Sequence, residues 1–325
     1  MKVNKNKLIS ILGPTASGKS DLGIYLAKRF GGDVISVDSR QIYKDMNIAT
    51  GKVVGELNNK QGLFLNIDKK NKIIHPFVSE KVNHWMIDIA NPQDDFFSVA
   101  QFQDMAYQII FKLFAKKTIP ILVGGSGLYM DAILKGYQFP KTSLRLRREL
   151  ERFSDKQLLD ELKRIDRKTY NLIDKKNRRR ILRAIESYLV NKESHSKCRQ
   201  KKPNFDSLVL AINWPREELY KRIDHRVEEW MKQGLIKEVR RLHNSGVDYQ
   251  KLEKFGLEYR NVALYLQGKI SRSEMIHNMK YQTHAFARRQ FTWFRRNKDI
   301  IWLKADDKKI FIEAGSIVKN FITNY

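Results

Sequence analysis

Between Gly13 and Ser20 the chain reads GPTASGKS, and few stretches of eight residues restrict a fold as much. The spacing is G-x-x-x-x-G-K-S. A short apolar run, Leu8 to Leu12, precedes it, and Leu22, Leu26, Ala27 and Phe30 follow at helical spacing. A strand, a glycine-bearing loop and a helix in that order make a phosphate cradle. The glycines let backbone N–H groups turn inward, and the helix N-terminus brings the positive end of its dipole to the same anion. Lys19 supplies a point charge, and the Ser20 hydroxyl can ligate a Mg2+ that bridges phosphate oxygens. Gly13, Pro14, Thr15, Ala16, Ser17, Gly18, Lys19 and Ser20 are therefore the candidate diphosphate-binding residues. Ser20 is also the candidate metal ligand, and Mg2+ is the expected cofactor.

Further short runs continue the pattern. DVISVD (Asp33–Asp38), IPILV (Ile119–Val123) and SLVLAINWP (Ser207–Pro215) read as strands buried on both faces, and Val99 to Ala115 as a helix between them. The fold class that follows is α/β: a P-loop three-layer core with a parallel sheet plus a helical insertion domain. The expected boundaries are 1–138 for the first part of the core, 139–203 for the insertion, and 204–325 for the return to the core and the C-terminal helices. Two alternating apolar runs around Asp68-Lys69-Lys70-Asn71 predict a peripheral β-hairpin over Leu63–Val78.

Charge narrows the partners. In 325 residues, 62 Lys and Arg stand against 36 Asp and Glu, a net charge of +26. Such an excess repels itself unless a polyanion meets it, and nucleic acid is the leading partner. It is uneven: 141–202 holds no glycine and 21 basic against 9 acidic residues. In NRRRILRAIESYLV an apolar stripe of Ile181, Leu182, Ile185 and Leu189 leaves Arg179, Arg180 and Arg183 beside or opposite it, able to reach phosphates. A single cysteine excludes an internal disulfide and a cysteine-based zinc site. With no long apolar run and no signal-like start, the expectation is a cytoplasmic monomer with no membrane partner.

Two chemistries fit a phosphate loop in a basic chain. One is an ATP-dependent kinase or nucleic-acid-dependent ATPase, with Asp38 holding Mg2+ through water. In the other the diphosphate is a leaving group, which needs a cradle, cations to neutralise it and a base for the incoming nucleophile. The loop, Arg226 and Asp38 would meet those needs. Composition and spacing leave both open.

The ordered set GPTASGKS, ISVDSRQIYKDMNIATGK, HWMIDIANPQDDFFSVAQF, IPILVGGSGLYMDAIL, RRILRAIES, RIDHRVEEWMKQGLIKEV and RRQFTWFRR resembles the signatures of bacterial tRNA dimethylallyltransferases, the isopentenyl-tRNA transferase family. The likeness runs from about Leu8 to Leu303. It implies transfer of a dimethylallyl group from dimethylallyl diphosphate to N6 of adenosine 37 in the tRNA anticodon stem-loop. It further implies Asp38 as general base, and Arg226 on the pyrophosphate side with Arg222 in reserve. Asp38, Ser39, Arg40, Gln41, Ser126, Arg147, Arg179, Arg180, Arg183, Tyr259 and Arg260 would face tRNA. The sequence departs from the pattern at Glu258, where glycine is usual, at His284, where arginine is usual, and in a longer stretch over Gly51–His84.

Overall fold

The computed structural model describes residues 6–67, 70–140, 143–193, 201, 203–305 and 309–323. Ten strands occur among them. They are β1 (Lys7–Leu12), β2 (Gly32–Ser36), β3 (Glu56–Leu57), β4 (Leu63–Ile67), β5 (Lys70–Ile74), β6 (Phe77–Ser79), β7 (Val82–Trp85), β8 (Ile119–Gly124), β9 (Asp206–Asn213) and β10 (Ile301–Lys304). Eight form one sheet in the order β10-β9-β1-β8-β2-β7-β6-β3, parallel from β10 to β7 and antiparallel over the last two.

Alternate residues of the central strands enter two apolar layers. Leu8, Leu12, Ile35 and Leu122 face Phe102, Ile109 and Leu113 of the helix Val99–Ala115. Ile9, Ile11, Ile121 and Val123 face Leu22 and Leu26 of the helix Lys19–Phe30 and Ala314 and Val318 of the helix Ile310–Thr323. Strands apolar on both sides need helices on both faces, so the expected three-layer α/β core is what forms. No helix among the described residues is long and apolar enough to cross a membrane.

The chain divides into two compact units, Met1–Leu134 with Asn204–Tyr325, and Lys135–Pro203. The hairpin is shorter than its sequence suggests. Ile67 pairs with Lys70 and Asn66 with Asn71, so Lys70 and Asn71 belong to strand β5, and residues 68 and 69 lie outside the described residues. Leu63 and Leu65 pack into the core beside the helix Val99–Ala115. The second apolar run also splits in two: Phe77–Ser79 leaves the hairpin and joins the main sheet as β6, giving it an antiparallel edge.

The second unit has its own small core of Leu158, Leu162, Ile181 and Ile185. Glu186, fully buried in the helix Arg178–Asn191, fastens this core. Its carboxylate accepts hydrogen bonds from Ser143 N (2.9 Å), Arg147 Nη2 (2.7 Å) and Arg183 Nη1 (3.1 Å). Burial works against its charge, but these donors outweigh burial and hold its pKa below the usual glutamate value. The stabilisation is therefore present above the unfolded pKa and is lost as pH falls through the folded one. Glu186→Gln should lose about 1–3 kcal/mol at neutral pH. In urea titrations followed by circular dichroism, the gap from the native protein should narrow as the solution is acidified.

Candidate active site

A cavity opens at the C-terminal ends of β1, β2 and β8, the edge at which open α/β sheets bind ligands. The phosphate loop forms one wall, through Thr15, Lys19 and Ser20, and the segment Asp38–Gln41 after β2 forms another. The helix Lys19–Phe30 starts without a side-chain cap, which leaves its first-turn N–H groups to an anion.

The loop is clamped at the cavity wall and behind it. Gln290, buried in the helix Arg272–Phe294, accepts from Thr15 N at 3.1 Å and donates to the Gly125 carbonyl at 2.8 Å, tying the loop to the end of β8. Ala16 takes φ 62°, a strained conformation for alanine, and its carbonyl accepts from Arg222 Nε at 2.9 Å. Arg222 lies over Trp214, whose Nε1 donates to Ser17 O at 2.9 Å.

Three half-buried cations line the cavity: Lys19, Arg40 and Arg226. Lys19 Nζ reaches only the Pro14 carbonyl, at 3.2 Å. Burial, then the Arg226 and Arg40 charges, lower its pKa to about 8 against the opposing pull of Asp38. Burial likewise lowers the Arg226 pKa, and Arg226 makes no ion pair among the described residues. Its guanidinium lies 5.5 Å from the Trp230 ring, and a Cβ at Gly51 (φ 64°) would fall 1.9 Å from its Nη2. Glycine at 51 is what lets this arginine reach the cavity.

Asp38 sits just past the tip of β2. Its Oδ1 accepts from Arg40 N at 2.9 Å and lies 3.8 Å from Arg40 Nε, and Oδ2 makes no hydrogen bond among the described residues. Two cations without carboxylates and a carboxylate with a free oxygen thus share one cavity. Such a place can bind a diphosphate and take a proton beside it.

The sequence matches the family described as IPP transferase over residues 41–297. The chain belongs to the IPP transferase family. It is 37% identical over 305 residues to tRNA dimethylallyltransferase 1 of Geotalea uraniireducens, covering 92% of this chain and 93% of that protein. It is 36% identical over 335 residues to tRNA dimethylallyltransferase of Halothermothrix orenii, covering 99% and 95%. The solved tRNA isopentenylpyrophosphate transferase of Bacillus halodurans aligns with a TM-score of 0.68 and 31% identity over 98% of this chain and 97% of its own. A eukaryotic dimethylallyltransferase solved acting on tRNA shares the fold, with a TM-score of 0.80 at 24% identity over 98% and 80%.

Within this IPP transferase the expected residues sort into three groups. Thr15, Lys19, Ser20, Asp38, Ser39, Arg40, Gln41, Ser126 and Arg226 line one cavity. Ser126 accepts from Ser39 N at 3.4 Å across it. Arg179, Arg180 and Arg260 are exposed and make no ion pair among the described residues.

The third group corrects the sequence reading. Tyr259 is fully buried and its hydroxyl donates to Glu238 Oε1 at 2.8 Å, so it is a core residue and cannot touch tRNA. Arg147 and Arg183 hold the Glu186 carboxylate, which occupies part of their donor capacity inside the second unit. Gln41 lines the cavity, but both its amide hydrogens go to the Thr50 and Gly51 carbonyls, at 3.1 Å each. It is a staple for the loop that faces Arg226. Arg222 backs the phosphate loop from outside the cavity.

Gln290 and His84 had gone unremarked. Gln290 stands inside the RRQFTWFRR motif, where the flanking arginines and aromatics drew attention away. His84 is buried in β7 against the cavity, its Nε2 unpartnered, and burial lowers its pKa to about 4, so the ring is neutral at pH 7.

Lys19 gives the site a pH signature. Below about pH 8 it is charged, and a bound diphosphate would favour that charge. The affinity for an alkyl diphosphate should therefore weaken as pH rises through about 8. Calorimetric titrations across that range should show the fall in the native protein and a weaker but flat affinity in Lys19→Met.

Proposed function

We propose that this chain transfers the dimethylallyl group of dimethylallyl diphosphate to N6 of adenosine 37, beside the anticodon of tRNA. The observation that carries this reading is the pair of half-buried cations, Lys19 and Arg226, with no ion pair among the described residues, in one cavity with Asp38. The diphosphate would lie on the phosphate loop between them. Val34, Val53, Ile87 and Phe286 in the same wall would take the methyl groups of the donor.

The Ser20 hydroxyl lines the cavity at the start of the helix and offers the hard oxygen donor that Mg2+ prefers. Ser20, with water and the diphosphate oxygens, would hold the ion, which would neutralise charge on the departing pyrophosphate.

The adenine amine is a weak nucleophile and must lose a proton as its bond to carbon forms. N6 attacks C1 of the donor, the bond from C1 to the diphosphate oxygen breaks, and the N6 proton passes to Asp38 Oδ2. Arg40 holds Oδ1, which leaves the other oxygen for the proton. Lys19 and Arg226 receive the negative charge that develops on the leaving oxygen. The adenine must leave the anticodon stack to reach a cavity this deep.

Nucleoside mass spectrometry of tRNA incubated with the protein, Mg2+ and dimethylallyl diphosphate should show one adenosine carrying an added C5H8. ATP hydrolysis stimulated by tRNA, with no such product, would overturn the reading. Asp38→Asn should keep donor affinity and lose about 10²–10⁴-fold in single-turnover rate, the range for loss of a general base.

Arg179 and Arg180 are exposed basic residues of the second unit with no ion pair among the described residues, so they are open to a phosphate backbone. Replacing both with alanine should weaken tRNA binding and lower the slope of log K against log salt by about 0.7–0.9 per lost contact. Donor affinity should not change, because the donor belongs to the loop at Gly13–Ser20. Filter binding across a salt series reads the first effect and calorimetry the second.

A further inference from the structure

Arg40 differs from the other two cations of the cavity in having a carboxylate. Its Nη1 donates to Oε2 of Glu258, a side chain only 2% exposed. Burial opposes the Arg40 charge, but Glu258 and then Asp38 outweigh burial and keep the guanidinium charged. The same arginine reaches Asp38 Oδ1 twice, through its backbone N at 2.9 Å and its Nε at 3.8 Å. The chain from Glu258 through Arg40 to Asp38 is continuous.

The backbone makes room for this pairing. Gly256 has φ 151°, and a Cβ there would meet Arg40 Cδ and Nη1 at 3.1 Å. Two residues on, Glu258 lies in the first turn of the helix Leu257–Leu266, where the helix dipole favours a carboxylate.

We infer that Glu258 is a positioning residue for the proton acceptor: it fastens Arg40 on the Asp38 side of the cavity and keeps that cation off the diphosphate. This rests on the reading of Asp38 as base and of the loop as the diphosphate site. The physical reason is competition. A diphosphate entering among three cations of one cavity attracts all of them, and an arginine with a rigid fork of donors is the best suited to bind it. If Arg40 swung to the diphosphate, Asp38 Oδ1 would lose its Nε contact and its orientation toward N6. Glu258 divides the labour, leaving Lys19 and Arg226 to the leaving group and Arg40 to the base.

The test compares Glu258→Gln, the apolar double variant Arg40→Met/Glu258→Met, and the native protein. Glu258→Gln should lower the single-turnover rate at saturating tRNA and donor by about 10–100-fold, the effect of a small misplacement of a reacting group. Its donor Kd, read by calorimetry, should tighten or hold. A merely structural role predicts the opposite split, a weakened Kd together with a lowered melting temperature. The double variant removes the stray cation, so its donor Kd should return to at least the native value. This holds the inference open to test even if the single variant folds poorly. Native transfer with Glu258→Gln unchanged in rate and Kd overturns the inference. Absence of native prenyl transfer overturns the proposed function instead, while the donor Kd values still report on Glu258.

Discussion

Lys19 and Arg226 are half-buried cations with no ion pair among the described residues, and the surrounding structure is arranged around that fact. Taking a charge out of water costs several kcal/mol, and a flexible side chain would escape by reaching for solvent. Neither can easily do so here. Lys19 is anchored by the Pro14 carbonyl and Arg226 lies over Trp230, with the bare Gly51 closing in on its guanidinium. The mutual repulsion and desolvation of these cations are offset when an anion lies between them, which is how a preorganised electrostatic site works.

Holding the cations still means holding three loops still, and each is tied by a polar side chain from elsewhere in the chain or the loop itself. Gln290 ties the phosphate loop to the end of β8. Gln41 staples the segment after β2 to the carbonyls of Thr50 and Gly51. Glu238 accepts from Asn47 N at 2.9 Å, Ile48 N at 3.0 Å and the Tyr259 hydroxyl at 2.8 Å. Burial, then the Glu238 charge, push the Tyr259 phenol well above its ordinary pKa, so it remains a donor. The segment after β2, Gly51 and the loop before it are thereby tied together through side-chain hydrogen bonds.

The core strands, the phosphate loop and the helix after it were legible because each follows a local rule: apolar runs of strand length, glycines at a turn, helical spacing. Asp38 was legible as a carboxylate closing a core strand, and its role as base, like that of Arg226 on the pyrophosphate side, came only through resemblance. What could not be read were the partners of polar residues far apart in sequence. Gln290 and Thr15 are separated by 275 positions, and Glu258 and Arg40 by 218. Tyr259 looked like a contact residue in a motif and proved to be core, because an aromatic with a hydroxyl suits either place and only its neighbour Glu238 decides. The edge strand Phe77–Ser79 was misassigned to a hairpin since both alternatives share the same alternation of side chains.

A chain with 62 basic and 36 acidic residues has few carboxylates to spare, and three glutamates are almost fully buried: Glu186, Glu238 and Glu258. Each is a fastener. Glu186 gathers two arginines and a backbone N–H in the second unit, Glu238 gathers two backbone N–H groups and a phenol, and Glu258 takes the guanidinium beside the base. The arginines that remain exposed, such as Arg179, Arg180 and Arg260, keep their charge for an external polyanion. Salt screens charges that face water over about 10 Å or less at ordinary ionic strength and reaches buried pairs far less. The same molecule can therefore hold RNA by a salt-sensitive exterior while its reacting groups stay in place on a salt-insensitive interior.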